Sequence, residues 1–231
     1  MLTHALHDTL HRIENAAGMA GRPKPRLLAV SKTQPADAID RLAALGQRAF
    51  GENYVQEATA KQAVLARLDR DGPPLEWHLI GHLQSNKAKE AATRFDWVQT
   101  VDRERLVLAL NAHRPAERGP LDVLVQVNID DEASKHGCRP EDLERLGDLV
   151  AAQPRLRLRG VMVIPAPHAD VEARRPAFRR ARHLFEALAT RHQGVDTLSM
   201  GMSDDLEIAI AEGATMVRVG TALFGARPRK Q

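Results

Sequence analysis

Eight short apolar runs, near residues 26–31, 48–51, 77–80, 97–101, 122–128, 158–164, 196–199 and 215–219, alternate with amphipathic stretches along this 231-residue chain. A strand followed by a helix before the next strand must return to the same sheet by a crossover, and crossovers make neighbouring strands parallel. Pro35 precedes the Ile39/Leu42 stripe, Pro140 precedes Leu143/Leu146/Val150, and Gly213 follows Leu206/Ile210. Proline at helix starts and glycine just past their ends is the expected asymmetry. Eight such strands fit a closed (β/α)8 barrel, a fold of ~250 residues; an open doubly wound sheet is the alternative. Leu2, Leu6, Leu10, Ile13 and Ala17 share one face of a leading helix. No linker, repeat or low-complexity tract divides the chain, and Arg114–Pro120 reads as a surface loop. Residues 1–231 are therefore expected to form a single domain.

Composition excludes several classes. The single cysteine, Cys138, allows neither an intrachain disulfide nor a cysteine-based metal cluster, which suits a reducing cytoplasm. The amino terminus carries Asp8 and Glu14 without an unbroken apolar stretch, so neither a secretory signal nor a membrane span is expected. The arginines at 174, 175, 179, 180 and 182 surround a stripe of Phe178, Ala181, Phe185 and Leu188 and read as its solvated face. With 3% aromatics for stacking, nucleic-acid binding is not expected. No histidine pair has convincing metal-ligand spacing, His4, His7 and His11 reading as the polar side of the leading helix, so no metal is expected.

Lys32 closes the run Leu27–Thr33 just before Pro35. An ammonium at a strand end either reaches solvent or, if desolvated, becomes a nucleophilic amine able to trap a carbonyl as a Schiff base. Ligand chemistry of a parallel barrel gathers at the carboxyl ends of its strands. That rule collects Lys32, Asn53, His78, the Gly81-His82 turn, Asn128, Ser199 and Arg218 at one mouth. Ser199-Met200-Gly201-Met202-Ser203 follows the seventh strand, with Ser203 as expected N-cap of the next helix, and Arg218-Val219-Gly220-Thr221 closes the eighth. Loops after strands seven and eight form the recurring phosphate site of such barrels. Asp204 and Asp205 would repel a phosphate there unless they face away. A lysine opposite a phosphate cradle describes a pocket for pyridoxal 5'-phosphate, and equally an aldolase that takes a phosphorylated sugar. His78 reads as a packed strand histidine. Tyr54, the sole tyrosine, is expected to pack at the start of the helix after the second strand. His82, Lys87 and Lys135 carry no assignment.

Seven ordered stretches carry a family resemblance over nearly the whole chain: Ala29–Thr33, Phe50–Glu57, Trp77–Lys87, Val127–Ile129 with Lys135 and Gly137, Gly160–Met162, Leu198–Asp204 and Arg218–Gly225. In these the chain resembles the YggS/PROSC family of pyridoxal phosphate homeostasis proteins. The resemblance implies a barrel like the amino-terminal domain of alanine racemase, with pyridoxal 5'-phosphate held as an internal aldimine on Lys32. It implies that Ser199, Gly201, Ser203, Gly220 and Thr221 hold the phosphate, that Arg218 faces the pyridine nitrogen, and that Asn53 lies beside the cofactor. A guanidinium there keeps the nitrogen unprotonated and weakens the cofactor as an electron sink. Many family members have a second lysine where this chain has Gln34. The implied role is cytoplasmic cofactor buffering or delivery to apo-enzymes, as a monomer or weak dimer, without robust catalysis. A racemase is the alternative, but related racemases take a second base from a carboxyl-terminal β-domain that a chain ending at Gln231 has no room for. A cofactor-free aldolase is the third reading.

Overall fold

The computed structural model describes residues 2–66, 73–132 and 135–225. Eight parallel strands close into a barrel in sequence order. They are β1 (Arg26–Val30), β2 (Ala49–Glu52), β3 (Glu76–Leu79), β4 (Trp97–Val101), β5 (Leu121–Val127), β6 (Leu156–Val163), β7 (Thr197–Ser199) and β8 (Met216–Val219). Each begins and ends within two residues of its expected run. Closure comes from β1 pairing with β8, where Leu28 lies opposite Arg218 and Ala29 opposite Val219, so the open-sheet alternative is set aside.

Helices alternate with the strands: α1 (Leu2–Met19), α2 (Ala36–Ala44), α3 (Val55–Leu65), α4 (Ala88–Arg94), α5 (Glu104–His113), α6 (Leu143–Ala151), α7 (Arg175–Arg191), α8 (Leu206–Ala211) and α9 (Thr221–Phe224). The apolar stripes read from the sequence are their buried faces, as with Leu6 and Ile13 of α1 or Ile39 and Leu42 of α2. Strands covered by helices outside and packed side chains inside are apolar on both faces, and all seven residues of β5 are buried. The large core cluster lies between strands and helices, while two separate clusters, Leu28–Ala49–Met216 and Trp97–Leu124–Met162, occupy alternate strand positions. Alternation turns those positions into the lumen, which they share with buried His78, Gln99, Ser199 and Arg218.

Three local expectations are corrected. The arginine row of α7 is not simply solvated: Arg174 Nη1 lies 2.6 Å from the buried Asp205 carboxylate, and Arg175 and Arg179 converge on buried Glu212. The loop after α5 is a surface segment, yet Arg114 within it is buried and donates to the carbonyls of Ala92, Phe95 and Gly119. Ser203 is not the cap of α8. Asp205 takes the N-cap position, and its Oδ1 accepts from the Met202 amide at 2.6 Å. An ion pair across the fold outweighs the local preference for serine.

Candidate functional site

A cavity of about 220 Å³ opens at the carboxyl ends of the strands. Lys32, Asn53, Ser203, Arg218, Gly220 and Thr221 all line it, together with Val30, Ile80, Ile164, Met202 and Phe224. β1 and β8 are hydrogen-bonded neighbours. Lys32 and the Gly220-Thr221 turn therefore flank one corner of the mouth rather than facing each other across it.

The turn that presents Lys32 is strongly held. Thr33 adopts φ 64°, a left-handed conformation rare for a β-branched residue. Its amide donates to Glu57 Oε1 at 2.6 Å. Ser31 Oγ donates to Glu52 Oε1 at 2.6 Å, and Lys61 Nζ donates to the Ser31 carbonyl, to both Glu52 oxygens and to Glu57 Oε1 at 2.7–3.0 Å. Glu52 is fully buried. Burial pushes its carboxyl above the ordinary range, against the hydrogen bonds from Lys61 and Ser31. Half-buried Lys32 is thus carried on a turn clamped by a charged cluster beneath it. Sequence reading missed Lys61 and Glu52, because an i,i+9 pair joining a strand end to the following helix follows no single-element spacing.

Arg218 enters the cavity from the lumen side. Its Nη1 donates to Ser199 Oγ at 2.8 Å and its Nη2 to the Val163 carbonyl at 2.9 Å. Ser199 Oγ donates in turn to Gln99 Oε1 at 2.7 Å, and Gln99 Nε2 donates to His78 Nδ1 at 2.9 Å. His78 Nε2 then donates to Glu76 Oε1 at 2.5 Å, an oxygen that Arg26 Nη2 also reaches at 2.7 Å. The chain is continuous if His78 is the neutral Nε2–H tautomer. One hydrogen-bonded chain therefore crosses the barrel from the cavity to its amino-terminal end. Burial draws the Arg218 guanidinium down to about 10, still cationic at neutral pH. Burial also lowers His78, partly offset by Glu76. Glu76 itself, which burial alone would raise, is held at about 2 by His78 and Arg26.

Ser199 and Gly201 sit behind the wall rather than on it. Ser199 is fully buried in the chain just described. Gly201, at φ 90°, accepts from the Arg218 amide at 2.9 Å, and a Cβ there would lie 2.5 Å from the Ala209 Cβ on α8. Ser203 Oγ accepts from the Ala222 amide at 3.3 Å and so ties the two expected phosphate loops together. Arg12 of α1 reaches the Ser203 carbonyl at 3.0 Å and pairs with Glu207, which makes the leading helix a support of the site. Asp205 is turned away toward Arg174, whereas Asp204 remains on the cavity wall. Asn128 is used locally, its Nδ2 donating to the Glu132 carbonyl at 2.8 Å. His78 is packed and hydrogen-bonded as expected. Tyr54 stands just before α3 as expected, but is exposed rather than packed.

A family model described as alanine racemase, N-terminal domain, matches residues 5–228. The pyridoxal phosphate homeostasis protein of Pseudomonas aeruginosa is 55% identical over 218 residues, covering 94% of this chain and 91% of the relative. That of Escherichia coli K12 is 50% identical over 228 residues, covering 98% and 97%. Among solved structures, PipY of Synechococcus elongatus without PLP superposes with a TM-score of 0.86 at 37% identity, over 97% of this chain and all of that one. PipY with PLP bound gives 0.78 at 38% identity, over 93% and 100%. Alanine racemase of Corynebacterium glutamicum, 21% identical with a TM-score of 0.64, shares the fold. The chain belongs to the family of pyridoxal phosphate homeostasis proteins, built on the alanine racemase N-terminal barrel.

Proposed function

We propose that this chain holds pyridoxal 5'-phosphate at the barrel mouth and serves its homeostasis, as a store or carrier without sustained turnover. The observation that carries the reading is that Lys32, Arg218 and the Ser203 and Gly220-Thr221 turns wall a single cavity. Its volume, about 220 Å³, admits one ring with one phosphate and falls below the ~300–1,000 Å³ of most drug-sized pockets. The relatives' names and the PLP-bound PipY structure support the same cofactor.

When bound, the cofactor supplies an aldehyde carbon that bonds to a primary amine with loss of water. Lys32 would provide that amine from its clamped turn. Ser203, Gly220 and Thr221 would receive the phosphate, and Asn53 would lie beside the ring. Arg218, a permanent cation, would donate to the pyridine nitrogen and keep it unprotonated, which disfavours carbanion chemistry. Ser199 and Gly201 would act one layer behind, Ser199 by orienting the guanidinium and Gly201 by letting α8 close on the loop. Inversion by two bases needs an acid–base group on each face of the substrate carbon. Beyond Lys32 and Arg218, the ionisable group among the described lining residues is Asp204.

A single-domain, cytoplasmic protein acting as a monomer or weak dimer, with apo-enzymes as recipients, fits this role. Among the described residues no helix is long and apolar enough to cross a membrane. Adding pyridoxal 5'-phosphate to the purified protein should produce a yellow absorption band that Lys32→Ala lacks while keeping the wild-type circular dichroism. The loaded protein, incubated with single-enantiomer amino acids, should leave chirality unchanged; sustained inversion would make it a racemase.

A further inference from the structure

A second cavity, about 470 Å³, adjoins the first at Asn53 and runs past Tyr54, Gly81, His82 and Lys87 to His136. His82 after β3 and His136 after β5 line it, and Asp102 after β4 stands beside them, so three potential ligands come from three loops. Their ligand atoms all lie within 4.8 Å of one another. The two imidazoles stack with centroids 3.8 Å apart and planes 15° from parallel. His82 Nδ1 is 3.9 Å from Asp102 Oδ2. The Asp102 side chain is only 10% exposed. Its Oδ1 accepts from Arg103 Nη1 at 2.5 Å, and Arg103 Nη2 donates to the Leu83 carbonyl at 2.8 Å. The carboxylate is thereby oriented by an outer partner, with its second oxygen left toward His82, as metal ligands commonly are.

We propose that His82, Asp102 and His136 form a zinc site with its remaining coordination position open to the second cavity. Two imidazoles and one carboxylate suit Zn²⁺ and disfavour Ca²⁺ and Mg²⁺, which take oxygen sets. Three protein ligands with one open position is the exchangeable form of such a site. Bonds of ~2.0–2.1 Å in a tetrahedron put ligand atoms about 3.3 Å apart, so the groups must close by up to about 1.5 Å and the rings must splay. Both histidines are exposed loop residues and have room to do so. The Arg103 cation opposes the ion and keeps the site one of moderate affinity.

The site is independent of the cofactor reading, and calorimetric titration of the cofactor-free protein with Zn²⁺ tests it. One ion per chain is expected, with Co²⁺ in its place giving the visible bands of a low-coordinate site. His82→Ala and His136→Ala should each weaken binding at least tenfold, and Asp102→Asn severalfold. The His7/His11 pair, stacked at 6.4 Å on α1, is the control: His7→Ala with His11→Ala should leave the affinity unchanged. Absence of saturable binding, or binding lost with His7 and His11 and retained in His82→Ala, overturns the proposal.

Discussion

Among the described residues no carboxylate hydrogen-bonds the Arg218 guanidinium; Asp205 acts on its charge from a distance, and a hydrogen-bonded chain through Ser199, Gln99 and His78 links it to Glu76 at the far end of the lumen. Arg218 can only donate and the Glu76 carboxylate only accept, so the ends set the direction of the chain and Gln99 joins its two halves, accepting at Oε1 and donating from Nε2. Gln99→Leu would strand the Ser199 hydroxyl and His78 Nδ1, each at a cost of about 1–3 kcal/mol. Thermal unfolding of this variant should begin several degrees earlier, and a spectral titration should show pyridoxal 5'-phosphate bound about tenfold more weakly. An unchanged affinity would detach Arg218 from this chain. Of these residues, Arg218 and Ser199 stand out in the sequence because they end strands beside glycine turns. Gln99 does not, because its partners lie 21 and 100 residues away and only barrel closure brings them together.

At the scale of elements, the site depends on how β1, β2 and α3 share one charged cluster. Lys61 of α3 satisfies Glu52 at the end of β2, the Ser31 carbonyl just past β1, and Glu57 one helical turn away. Removing one partner of a buried ion pair costs about 3–5 kcal/mol, whereas replacing both with apolar groups is far milder. Lys61→Met should therefore lower stability by that order, and Lys61→Met combined with Glu52→Leu should recover most of it; denaturant titration measures both. The double variant should still bind the cofactor more weakly, since the Thr33 turn loses its clamp. Strands and helices were legible here because their apolar periods are strong. The cap of α8 was not, because Ser203 and Asp205 are both good caps locally, and the partner of Asp205, Arg174, stands just before α7, 31 residues away.

For the whole molecule, the lumen chain sets the response to acid. His78 is neutral in the folded protein with a lowered pKa, so the unfolded chain binds a proton first, and stability declines as pH falls below ~6.5. Glu76, held at about 2, adds stability present above ~4.5 and lost as pH falls toward 2. The unfolding temperature should therefore drop in two stages on acidification, and His78→Gln should make the first stage shallower. The barrel and its mouth were readable because eight alternating runs leave few ways to close, and carboxyl ends then collect the site. The family resemblance implies a phosphate role for Ser199 and Gly201, whereas the depth of Ser199 in the lumen and the packing of Gly201 against α8 come only with three dimensions. The central claim is that Lys32 is the amine that takes the cofactor. Borohydride reduction of the loaded protein followed by peptide mass mapping tests it most directly: the account predicts the phosphopyridoxyl mass on the peptide bearing Lys32, and recovery of that mass on another lysine, with Lys32 unmodified, would contradict it.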